Sequence, residues 1–319
     1  MNEVAVIHVE GNGANFNVVH THNLWSIRER DNYPADYDLV RDFLFKVSAL
    51  KVVQSDVIGA NELARLDLEP PGTGTTSALL VQFKDRGGKL LASLLVGKRH
   101  RRPRNDSEPL GLHGLFDGRY VLLPGDPHNS LLVSDDLAAV SPAPGLWLSQ
   151  DFFKVENVKF ISISSPEHGK GREISRADDD SPWTLSNARP GETVNDLAAS
   201  RLSEILEFPS FDDVARKTPA LLASQGLDKP IVITALTDHF AYTLKVGRKK
   251  PDGDYPITVN VAGDIPDAAP DAAGLRAKLA RERALEPWIF YAGHWVERML
   301  EARDSLVQRS TSAAQTAEK

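Results

Sequence analysis

With no cysteine among its 319 residues, the chain has no disulfide, no thiolate metal ligand and no cysteine nucleophile. That excludes chemistry and leaves the compartment open. No stretch supplies the roughly 18 consecutive apolar residues that a spanning helix needs. The opening, Met1-Asn2-Glu3-Val4-Ala5-Val6, has no basic start followed by an apolar core, so no signal peptide is read there. Positive charge is in short supply: 37 Lys and Arg against 44 Asp and Glu give a net charge of -7, unlike the basic excess of a general nucleic-acid binder. Catalytic signatures are missing too. There is no Gly-x-Ser-x-Gly elbow and no His-Glu-x-x-His, and Gly72-Thr73-Gly74-Thr75-Thr76-Ser77 lacks the Gly-Lys-Ser/Thr ending of a phosphate loop. The expectation is a protein with no catalytic residues, no cofactor and no metal, acting by contact; an unrecognised hydrolase built from scattered Ser, His and Asp ranks last.

What is present is a globular composition, 41% apolar and 25% charged, in a chain long enough for two domains. Alternating residues with Gly11-Asn12-Gly13 between them predict a hairpin, Val4–Glu10 with Asn15–Val19, followed by Trp25. A helix fits Asp36–Leu50, capped by Asp36, with Leu39, Val40, Phe43, Leu44, Val47 and Leu50 at 3–4-residue spacing. A short helical piece near Asn61–Leu66 and strands at Ala78–Phe83, Leu90–Val96, Arg119–Leu123 and Ser130–Ser134 complete a first half, residues 1–155. Residues 156–305 repeat the order: strands at Asn157–Ser164 and Arg172–Arg176, then Trp183, a helix at Thr193–Phe208, and later strands. Landmarks pair between the halves: Ile7 with Ile161, Trp25 with Trp183, Leu66-Asp67 with Leu227-Asp228, Val96-Gly97-Lys98 with Val246-Gly247-Arg248, Tyr120 with Tyr255, and Trp147 with Trp288. The fold class expected is α+β: two tandem similar domains, each a mainly antiparallel sheet packed against an amphipathic helix. A charged helix around Leu275–Leu285 precedes the closing segment, and residues 306–319 read as a polar tail.

The N-terminal hairpin ending in Trp25, Tyr33-Pro34-Ala35-Asp36-Tyr37 leading into a helix, Leu66-Asp67 before a loop, Val96-Gly97-Lys98 closing a strand and the late Pro287-Trp288 together resemble a bacterial family known as domain of unknown function 4340. The resemblance covers nearly the whole chain. It implies an envelope protein with an N-terminal membrane anchor and a soluble outer portion, encoded beside ABC-type export permeases and gliding-motility-type auxiliary proteins. The sequence opens almost directly on a strand, which fits either a soluble chain or one trimmed of such an anchor; the expectation is an envelope location outside the inner membrane if an anchor was trimmed, with the chain as given soluble. The expected role is therefore a non-enzymatic accessory or scaffold subunit of an envelope assembly with a membrane-protein partner; the alternative is a module binding an envelope glycan or lipid.

The candidate contact residues are of two kinds. Lys98-Arg99-His100-Arg101-Arg102-Pro103-Arg104 concentrates Lys98, Arg99, Arg101, Arg102 and Arg104 in one turn, suited to an acidic partner or an anionic lipid surface; a solvated turn is the plainer reading. Arg248, Lys249 and Lys250 echo it in the second half. Trp288, Tyr291 and Trp295 form the densest aromatic segment, read either as a docking face or as core. His20 and His22, with Glu10 across the hairpin, make a weak metal constellation if the strand extends that far.

Overall fold

The computed structural model describes residues 3–73, 77–101, 116–166, 169–186 and 188–309, and the chain divides into two units, Met1–Ser149 and Gln150–Lys319. In the first, β1 (Val6–Gly11) and β2 (Ala14–Thr21) form a hairpin whose two turn residues, Asn12 and Gly13, both have positive φ. Asn-Gly tolerates that left-handed pair, which matches the twist of the strands. A second such turn at His22 and Asn23 leads into β3 (Leu24–Ile27) and the short β4 (Tyr33–Pro34). Helix α1 (Tyr37–Ala49) starts where Asp36 accepts a hydrogen bond from Leu39 N at 3.0 Å, a cap worth about 1 kcal/mol. Then follow β5 (Val52–Val57), α2 (Ala60–Arg65), β6 (Leu79–Lys84), β7 (Leu90–Arg101), β8 (Phe116–Leu123) and β9 (Asp126–Val133). The sheet runs β4-β3-β2-β1-β6-β7-β8-β9-β5.

The register places Ile7 beside Val18 and Phe83, and Val9 beside Phe16 and Val81. Because side chains alternate across a strand, these six buried residues share one face. Helix α1 covers it with Val40 and Phe43, the Phe43 ring stacking on Phe83 at 5.9 Å and meeting Trp147 edge-on at 5.4 Å.

The second unit contains β10 (Phe160–Ser165), β11 (Gly169–Ser175), β12 (Thr184–Ser186), β13 (Glu192–Val194), α3 (Asp196–Glu207), β14 (Asp213–Arg216), α4 (Pro219–Ser224), β15 (Ile231–Leu236), β16 (Phe240–Val246), β17 (Tyr255–Gly263), α5 (Ala272–Arg283), β18 (Trp288–Ala292), α6 (His294–Asp304) and β19 (Val307–Arg309). Its sheet runs β12-β11-β10-β15-β16-β17-β18-β14. Without the edge strand β4 the first order matches the second strand for strand; the second unit adds α5 between β17 and β18, then α6 and the separate β13–β19 pair. The fold is α+β, two similar antiparallel sheets each with a capped amphipathic helix. Helix α5, the insertion, is tied down by Glu282, which is buried and accepts from the Tyr242 hydroxyl at 2.8 Å and Lys154 N at 3.1 Å, with Lys278 one turn away at 3.1 Å. Burial, and then the Glu282 charge, push the Tyr242 hydroxyl well above its usual pKa.

Equivalence holds to single residues. His20 lies opposite Trp25 and stacks on it at 4.7 Å; Arg176 sits over Trp183 at 4.7 Å. His20 N donates to Ala5 O and Ala5 N to Lys84 O, and Arg176 N donates to Lys159 O and Lys159 N to Leu236 O. Three of the paired landmarks need correction. After α2, Leu68 N returns to Leu63 O around Asp67 at positive φ; after α4, Leu227 N returns to Leu222 O around Gly226 at positive φ. Leu227 therefore matches Leu68, two residues from the sequence pairing. Counting from Val121 and Ile257, which oppose Val96 and Val246, Tyr255 matches Arg119 and not Tyr120. Trp288 opens strand β18, whose counterpart is β9, whereas Trp147 closes a 3-10 turn packed on α1.

The helix expected from Thr193 starts at Asp196, because Glu192–Val194 pairs with Val307–Arg309. Leu306 is buried, so ordered structure continues into the stretch read as tail; residues 310–319 lie outside the described residues. Among the described residues no helix is long and apolar enough to cross a membrane.

Candidate functional site

Strand β7 runs close under the end of α2. Lys98 N donates to Leu66 O at 2.8 Å, and a Cβ on Gly97 would collide with that carbonyl and with the Leu68 side chain. Glycine is needed for the approach. The second unit repeats the device: Arg248 N donates to Gln225 O at 2.9 Å, and a Cβ on Gly247 would strike the same carbonyl. Each basic run thus starts beside the end of a short helix, but the first is not the turn expected: Lys98 to Arg101 continue β7 and pair with β8, whereas β16 ends at Val246.

In the first unit this brings Arg65 and Asp67, Lys98 to Arg101, and Arg119 and Tyr120 around a cleft of about 730 Å3. Arg119 is its anchored cation. Its guanidinium donates to Gly97 O at 2.8 Å, Leu137 O at 3.2 Å and Asp136 O at 3.3 Å. Burial, and then the Arg99 charge, pull its pKa down to about 10, against the attraction of Asp136 and Asp67; it is still cationic at neutral pH. Arg99 lies 3.8 Å from an Asp136 carboxylate oxygen and donates to Ala138 O. The Phe116 ring is flanked by two guanidinium groups, Arg99 at 5.2 Å and Arg101 at 5.1 Å, a stacking that holds planar cations in place without neutralising them. His100 Nδ1 is 2.7 Å from Asp117. Lys98 is exposed, and neither it nor Arg65 has an ion pair among the described residues. Arg102 and Arg104 lie outside the described residues.

The second turn has a different fate. Lys249 pairs with Glu297 at 2.6 Å and lies over Tyr255, while Lys250 pairs with Asp252 at 2.7 Å and lies over Tyr291 at 4.5 Å. The Glu297 hydrogen bond raises the Lys249 pKa, and Lys249 in turn lowers that of Glu297. Arg248 lines a smaller cavity, about 580 Å3, with Lys229 and Arg303 beside Asp228.

The aromatic docking face does not form. Trp288 and Trp295 are 7% and 5% exposed, and Trp295 Nε1 donates to Ser210 O at 2.6 Å; they are core, with Tyr291 half-buried beneath Lys250. His20 and His22 do not share a strand face, since β2 ends at Thr21 and His22 turns at positive φ. Glu10 lies instead 3.5 Å from His8. Among the described residues no three His, Asp or Glu side chains are placed to hold a metal.

Two features escape the sequence reading. One is the pair Arg65 and Arg119, which complete the cleft. The other is an apolar groove of about 370 Å3, lined by Leu63, Leu68, Leu80, Leu95 and Leu122 with four prolines at its rim. Comparison of the chain with models of protein families, with curated proteins and with solved structures finds no match in any of the three.

Proposed function

We propose that the chain works by contact, as an accessory or scaffold protein whose first domain engages an anionic group of its partner at the α2–β7–β8 cleft. The observation that supports this is the gathering of Arg65, Lys98, Arg99, Arg101 and Arg119 around one cavity, with Arg119 and Arg99 held by backbone carbonyls that leave their charge in place. Guanidinium and ammonium groups at neutral pH bind carboxylate or phosphate. The setting, an envelope assembly tied to an ABC-type exporter, rests on the family resemblance of the sequence alone.

Affinity capture from native membranes with the wild type and with Lys98→Glu/Arg101→Glu tests both parts. The proposal expects a membrane-protein partner captured by the wild type and reduced about tenfold or more by the charge reversal, a loss also produced by raising the salt. Equal capture by both proteins would remove the cleft from the contact. Both substituted side chains project from the end of β7 with no ion pair of their own among the described residues, so folding is not at stake.

A further inference from the structure

The apolar groove is not something the fold requires, because the second copy of the fold is built without it. On the sheet face away from α1, one cross-strand row in the first domain reads Leu80, Leu95, Leu122. The equivalent row in the second reads Val232, Lys245, Thr258. The neighbouring row pairs Gln82 with Ser93 in the first and Thr234 with Thr243 in the second. Both sheets carry a short helix ending against the same glycine, so covering by that helix does not by itself demand leucines.

Leu68, Leu95 and Leu122 are buried core, but the groove's other leucines keep exposed surface. Leu63 and Leu80 are only partly buried, and Leu90 at the mouth is 49% exposed. Ser93 Oγ, on the groove wall, is buried without a hydrogen-bond partner among the described residues, a state that costs about 1–3 kcal/mol unless something supplies a partner. Pro70, Pro71, Pro124 and Pro127 stiffen the rim, which keeps such a groove open without the entropy of closing a loop. Its size falls within the usual range of small-molecule sites, about 300–1,000 Å3.

The groove adjoins the cationic cleft. Leu66 and Tyr120, which line the cleft, pack on the same cluster as Leu68, Leu95 and Leu122 of the groove. Along β7, Leu95 and Lys98 are three residues apart, about 10 Å at strand rise, and the register shift between Val96 and Arg99 breaks the alternation that would otherwise put them on opposite faces. A molecule that touches both must be apolar at one end and anionic at the other. We infer that the first domain binds a single-chain anionic amphiphile, its acyl chain in the Leu80–Leu95–Leu122 groove and its phosphate-type headgroup at Lys98 and Arg101. This rests on reading the cleft as an anion site, and it adds the class of ligand.

The probes are lauroyl lysophosphatidylglycerol, lauroyl lysophosphatidylcholine and glycerol phosphate, titrated into the full chain below micelle formation and followed by calorimetry. The expected result is one lysophosphatidylglycerol per chain, with the zwitterionic lipid at least about tenfold weaker and glycerol phosphate at least about a hundredfold weaker, since burying methylenes dominates the affinity. Leu90→Glu, at a half-exposed rim position, is expected to weaken the lipid tenfold and leave glycerol phosphate unchanged; Lys98→Glu is expected to weaken both. Leu95→Lys copies the second domain and should abolish the difference between lipid and headgroup. If the lipid binds no better than glycerol phosphate, the amphiphile is refuted while the anionic contact survives. If neither binds and Lys98→Glu changes nothing, both readings fall. Equal binding of the two lipids would show an apolar site with no headgroup selection, which also overturns the inference.

Discussion

The two basic runs begin at matching positions, after Val96-Gly97 and Val246-Gly247, but the first stays paired in its sheet to Arg101 while the second leaves its strand at Val246, and their charges are differently compensated. In the second, Lys249 has Glu297, Lys250 has Asp252, and each ammonium lies over a tyrosine, while Arg248 lines a smaller cavity with Lys229 and Arg303. In the first, Arg99 and Arg101 both lie against the Phe116 ring, His100 is 2.7 Å from Asp117, and Arg99 is 3.8 Å from Asp136. Arg119 takes the place of Tyr255, turning an aromatic that covers a lysine into a half-buried cation that adds to the field. The two units therefore share the backbone device and not its charge. What the two units share is scaffold; what differs between them is the charge and apolar surface at one end of the sheet.

The hardest test of the shared device is to fill the glycines. Gly97→Ala and Gly247→Ala each push a Cβ into a backbone carbonyl that also accepts a hydrogen bond from the next residue. Neither carbonyl can move without breaking that bond. Each substitution is expected to cost about 2–3 kcal/mol, read from the urea midpoint of unfolding. Equal losses support the equivalence of the two sites; a loss at one position only would break it.

A smaller effect separates the helix ends. Asp67 and Gly226 occupy the same left-handed position, with φ of 54° and 73°. Glycine has no steric penalty there, whereas a residue with a Cβ costs about 1 kcal/mol. Gly226→Asp is expected to destabilise the second domain by about that amount, and Asp67→Gly to stabilise the first by up to the same. No change from either exchange would mean that the left-handed turn is not what aligns the copies.

That position also explains how far the sequence could be read. Val96-Gly97 and Val246-Gly247 align by inspection because an alternating strand ending in glycine is a local signal. Leu66-Asp67 and Leu227-Asp228 looked alike and were two residues out of step, because backbone conformation, satisfied by Asp in one copy and Gly in the other, is what the two share. The Asp36 cap and the Asn12-Gly13 turn were legible for the same local reason. Strand β13 was not, since its partner β19 lies at the far end of the domain. The cleft was half legible: the cations of β7 form a run, but Arg65 and Arg119 join them only through the packing of α2 and β8. The groove did leave a trace. Leu90-Leu91-Ala92-Ser93-Leu94-Leu95-Val96 is apolar on both faces, whereas Phe240-Ala241-Tyr242-Thr243-Leu244-Lys245-Val246 alternates at its end, and a strand apolar on both faces has a second surface to bury.

The weakest effect on stability sharpens the comparison most. Glu297→Gln with Asp252→Asn releases Lys249 and Lys250 from exposed pairs, and such pairs hold a fold together very little, so the unfolding midpoint is expected not to move. The charge state does move: the second turn then carries uncompensated cations like the first. Measured in a Lys98→Glu/Arg101→Glu background, glycerol phosphate binding is expected to return in part at low salt and to fade as ionic strength approaches about 0.15 M, where the Debye length falls to about 8 Å. The lysolipid should gain no more than its headgroup does, because the row Val232, Lys245, Thr258 offers no place for a chain. If the released second turn instead bound the lipid as the first domain does, the Leu80–Leu95–Leu122 groove would lose its role, and charge alone would account for the difference between the copies.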